Sequence, residues 1–101
     1  MAYMLVRIRL HDFDQWKSVW EEPQEIKIRR AYGCKEERIF RGTDSPSEAV
    51  ILMKWGDLEE AKEFGISSEL RLAMNRSGGA DTPDVLFMAV SYTHLTLPTI
   101  L

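Results

Sequence analysis

The sequence predicts an α+β domain with a ferredoxin-like βαββαβ plan, in which a four-stranded antiparallel sheet carries its helices on one face. Three observations predict it. Four short runs favour strands, the first alternating residue by residue. Two intervening segments place apolar residues at helical spacing. The order of these runs leaves two helical segments for one sheet, enough to cover a single side.

Tyr3 to Leu10 is the first strand: Met4, Val6, Ile8 and Leu10 share one face, and Tyr3, Leu5, Arg7 and Arg9 share the other. Asp12 is placed to cap the following helix, with Gln15 three residues on in a capping-box pattern. Phe13, Trp16 and Trp20 fall on one stripe of that helix. Pro23 removes an N–H and crowds the preceding turn, which predicts a kink or break near Glu22. The helix then resumes to about Ala31, and Gly33 stops it.

Cys34 to Arg41 is the second strand despite its charge, and Gly42 to Ser47 is a turn. Ala49 to Trp55 is the third strand. Asp57 and Glu60 form a second capping-box pattern, and Leu58, Ala61 and Phe64 lie along the helix it opens. A break is expected near Gly65, with Ser67 capping a further helix over Glu69 to Arg76. Asp84 to Met88 begins the last strand. The sheet face away from the helices carries apolar residues of its own, which should not meet water over a large contiguous area. A second copy of the chain is the expected cover, giving a homodimer.

At 101 residues the chain holds one domain. Its 13 basic and 16 acidic residues are interspersed, so no basic stripe exists to bind nucleic acid. No apolar run approaches the roughly 20 residues that span a bilayer, and the start lacks a signal-peptide profile. The expected location is the cytoplasm. Cys34 is the single cysteine, which excludes an intrachain disulfide.

The end of the chain differs from the rest. No charged residue occurs from Ala89 to Leu101, and Val90 to Thr99 matches one translated frame of a sequencing-library adapter. The expected division is a domain over 1–88 and a non-native tail over 89–101, which leaves His11 as the native histidine and gives His94 no role.

The chain resembles the dimeric α/β-barrel superfamily, and within it the small proteins related to antibiotic biosynthesis monooxygenases. The resemblance rests on the first strand followed by Asp12-Phe13-Asp14-Gln15-Trp16-Lys17, and on Arg38-Ile39-Phe40-Arg41 with the turn Asp44-Ser45-Pro46-Ser47-Glu48. It continues through Lys54-Trp55-Gly56-Asp57-Leu58-Glu59-Glu60-Ala61, Ser68-Glu69-Leu70-Arg71 and Asp84 to Phe87. It implies paired sheets, a cavity between sheet and helices, and, for some members, oxygenation of electron-rich aromatics without a cofactor. Other activities in the superfamily are haem degradation and polyketide cyclisation. The resemblance implies that relatives tend to carry a histidine where this chain has Pro23, a residue this chain then lacks.

The candidate residues follow. His11 is the candidate for a catalytic base. Trp16, Trp20 and Arg7 are candidates for binding a flat aromatic substrate, and helical spacing explains the two tryptophans equally as core. Arg7 and Arg9 share a strand face and are expected to pair with Glu36 or another carboxylate, or to receive an anion. Cys34 reads as a small buried hydrophobe, since nothing is poised to activate its thiol. One histidine and one cysteine make no metal site, and haem would need a well-placed axial ligand. The function expected is that of a small protein binding an apolar or aromatic molecule, as a cofactor-independent monooxygenase. The alternative is a non-catalytic homodimeric binding or structural module. Trp55, at a strand end, reads as packing.

Overall fold

The computed structural model describes residues 1–78 and 82–90. Eight elements follow one another: β1 (Ala2–Arg9), α1 (Phe13–Trp20), α2 (Pro23–Tyr32), β2 (Cys34–Arg41), β3 (Glu48–Trp55), α3 (Leu58–Gly65), α4 (Ser68–Ser77) and β4 (Asp84–Ala89). The strands form one antiparallel sheet in the order β2-β3-β1-β4. This is the expected βαββαβ plan, with each helical layer divided in two.

The divisions have local causes. Asp12 caps α1 by accepting from the Gln15 N–H at 3.1 Å. Pro23 occupies the first turn of α2, where a missing N–H costs nothing, so the proline starts a second helix instead of kinking the first. Gly33 ends α2 in the left-handed region at φ 112°, and the Gly33 N–H donates to the Arg30 carbonyl. Asp57 and Glu60 form the complete reciprocal box at the start of α3. The Ser67 hydroxyl accepts from the Leu70 N–H to open α4.

The core sits between the helices and one face of the sheet. Met4, Val6, Ile8 and Leu10 meet Ala49, Ile51, Met53 and Trp55, with Phe13, Trp16, Trp20, Ala61 and Phe64 laid over them. The opposite face is open: Tyr3, Leu5, Val50 and Leu52 are half-buried, while Phe40 and Leu86 are 49% and 55% exposed. Across that face Arg7 pairs with Glu48 (Nε to Oε1 3.0 Å), because the antiparallel register sets Glu48 opposite Arg9 and so diagonal to Arg7. Glu36, the expected partner, instead meets Lys54 at 3.5 Å, directly across from it in the register.

β2 departs from simple alternation. Its pairing slips between Cys34 and Glu36, so that Cys34 is opposite Trp55 and Glu36 is opposite Lys54. Lys35 is the extra residue of a bulge. Downstream of it Glu37 and Ile39 stand opposite the buried Met53 and Ile51, on the helix side.

Among the described residues no helix is long and apolar enough to cross a membrane. Ala89 closes β4 opposite Ala2. His94 and the rest of the expected non-native tail beyond Val90 lie outside the described residues.

Candidate functional site

The bulge in β2 brings a charged group into an apolar neighbourhood. Glu37 accepts two hydrogen bonds of 2.8 Å, from the Trp20 indole Nε1 and from the Arg29 Nε. The Arg29 guanidinium lies 4.1 Å from the centroid of the Trp20 ring, and its side chain is only 3% exposed. Ion pair, indole bond and cation–π contact therefore share one corner, each fixing the others' geometry. Trp16 stacks on Trp20 with centroids 5.6 Å apart, and Phe13 continues the row at 5.8 Å from Trp16.

In front of this corner a cleft of about 440 Å³ opens between α1, α2 and β2. Lys17 and Glu21 come from α1, and Ile26, Arg29 and Arg30 from α2. β2 supplies Cys34 through Glu37, and Ile39. Cys34 is buried at this wall, and burial, reinforced by the negative charge of Glu37, pushes its thiol up to about 11. A protonated thiol is a poor nucleophile, so Cys34 serves here as apolar lining.

Two indoles lie in the core behind the site, outside its lining. Trp16 and Trp55 are fully buried, and their Nε1 donors have no acceptor among the described residues. A buried donor left unpaired costs about 1–3 kcal/mol.

The candidate residues do not all converge. Trp16 and Trp20 stack on each other in the core, as their shared helical stripe predicts, and neither lines the cleft. Arg7 lies on the open sheet face, bound to Glu48. His11 is exposed at the β1–α1 junction, where its backbone N–H donates to the Gly78 carbonyl at 3.5 Å. Arg29, Lys35 and Glu37 escape the sequence reading, because α2 and β2 look like solvated, charged segments. A signal exists in the run Cys34-Lys35-Glu36-Glu37-Arg38-Ile39: Cys34 and Ile39 are five apart, and a regular strand cannot put both inside. Among the described residues no group of three or more His, Cys, Asp or Glu side chains could hold a metal ion.

No family model matches the chain, and no curated protein matches it. Solved structures do. A putative antibiotic biosynthesis monooxygenase from Bordetella bronchiseptica superposes with a TM-score of 0.72 at 14% identity, over 90% of this chain and 97% of that one. Another, from Nitrosomonas europaea, gives 0.68 at 14% identity, over 91% and 100%. SnoaB, a cofactor-independent oxygenase from Streptomyces nogalater, gives 0.66 at 13% identity, over 92% and 95%. The chain has the fold of antibiotic biosynthesis monooxygenases. Nearly the whole length of each neighbour is covered, so the likeness is one of whole folds, and the α1–α2–β2 cleft lies on the helix side of this monooxygenase-type fold.

Proposed function

We propose that the protein binds a small, flat, largely apolar molecule in the α1–α2–β2 cleft and oxygenates it without a cofactor, working as a homodimer. The observation that carries the reading is the cleft itself, of ligand size, with Ile26, Cys34 and Ile39 in its lining and Trp20 packed against its Arg29 and Glu37. Arg29 and Glu37 line the cleft and hold the Trp20 ring in place beside it.

The fold's likeness to SnoaB supports the chemistry. An anthrone-like substrate supplies the four electrons that dioxygen needs. One oxygen atom becomes a new ring carbonyl, and the other leaves as water with the two hydrogens of the oxidised methylene. Arg7, on the far face, then belongs to the contact between two copies, and His11 is the remaining candidate base. The exposure of His11 favours a second reading, binding without turnover.

Tryptophan fluorescence and an oxygen electrode separate the two. Saturable quenching by an anthrone or quinol, with oxygen uptake matching product, is the expected result. Quenching without uptake selects the binding module, and the absence of both removes the proposal.

A further inference from the structure

We infer that the α1–α2–β2 cleft selects aromatic ligands bearing a carboxylate, received by Arg29, Arg30 and Lys35. The inference rests on the proposed binding of a flat molecule in this cleft and names its chemical class.

The charges around the cleft are unevenly paired. Lys17 is held by Glu21 at 2.8 Å, Glu36 by Lys54 at 3.5 Å, and Glu37 by Arg29 and Trp20. Every carboxylate at the cleft is thus engaged. Arg30 and Lys35 make no ion pair among the described residues, and both line the cleft. Arg29 uses Nε for Glu37, and its two terminal nitrogens make no hydrogen bond among the described residues. The side chain as a whole is only 3% exposed, yet its terminal nitrogens are not among the buried unpaired donors, so the donors they have to spare open onto the cleft. It is already oriented by its ion pair and by the Trp20 ring, so an incoming carboxylate needs no reorganisation to meet it.

The local field agrees. Arg29 and Arg30 both act to lower the Cys34 thiol pKa, against burial and Glu37, so their positive potential reaches the wall where Cys34 lies. Ile26 and Ile39 limit solvation there, which strengthens a charge-assisted bond. Lys35 owes its place to the bulge. A regular strand would lack this extra residue.

The test compares a naphthalene carboxylate with its neutral amide, matched in shape, by quenching of tryptophan fluorescence at neutral pH. The carboxylate is expected to bind about tenfold more tightly. Arg30→Ala combined with Lys35→Ala should remove most of that preference while changing amide affinity less than about twofold. Thermal melting of the double variant checks its fold. Equal binding of acid and amide by the parent protein overturns the inference and leaves ligand binding standing. A preference that survives the double variant overturns the assignment to Arg30 and Lys35. Binding of neither probe sinks both this inference and the proposed function.

Discussion

Glu37 is where the charge balance of the molecule is most exposed to test. Removing its carboxylate strands Arg29 in a low-dielectric corner and takes the acceptor from Trp20. Breaking a buried pair from one side costs more than the pair is worth, because the remaining charge stays desolvated. Glu37→Leu should lower stability by about 2–4 kcal/mol in urea denaturation. Glu37→Gln, which keeps an oxygen for the indole, should cost about half as much. Cys34 gives a prediction in pH. Its thiol ionises near 11 in the folded chain against 9.0 for an ordinary cysteine, so the folded state holds its proton longer than the unfolded one. Stability is therefore insensitive to this group below pH 9.0 and falls as pH rises toward 11. Cys34→Ala should remove that part of the alkaline slope. Alkylation of the native thiol at neutral pH should be far slower than after denaturation.

Between elements, the most consequential contact joins the end of α2 to the start of α3. A Cβ on Gly33 would lie 2.5 Å from the Glu60 carboxyl carbon, and Glu60 is the residue that closes the α3 capping box. Gly33→Ala therefore meets two penalties, a positive φ and the displacement of Glu60, for a loss of about 2–3 kcal/mol. Where Glu60→Ala is already in place the second penalty is absent, so the two substitutions should be clearly non-additive in a double-mutant cycle. Most element boundaries are legible in the sequence because the stop and start signals, Gly33, Asp57 and Ser67, act within a few residues of themselves. Pro23 is legible too, although its role as the opening residue of α2 emerges only from the helix it begins. Glu37 and Arg29 are not legible, because their meeting depends on a slip in β2 that composition does not announce. Arg7 fails to join the tryptophans for a simpler reason: parity along β1 fixes it to the far face.

For the whole molecule, the sheet sets the terms. Leu5 and Leu52 are register partners at the centre of the open face, with Leu86 beside Leu5 and Phe40 near the β2 edge. Shielding them against a second copy is the basis of the proposed homodimer. The expected outcome is a dimer at micromolar concentration in analytical ultracentrifugation. Leu52→Glu should convert it to a monomer that keeps its helical circular dichroism. A parent protein that sediments as one copy would refute the pairing, while the cleft on the other side of the sheet would be untouched.

One consequence of the slip at Lys35 concerns how this chain tolerates insertion and deletion. Losing a residue inside a strand ordinarily swaps inside for outside along everything that follows. Here position 35 is supernumerary: without it, Cys34, Glu36 and Glu37 would read in, out and in, as they already stand. A variant lacking Lys35 should fold with its core intact, whereas one lacking Arg38 should not, since Ile39 would then turn to the wrong side. The strand carries a spare codon, and it sits beside the cleft.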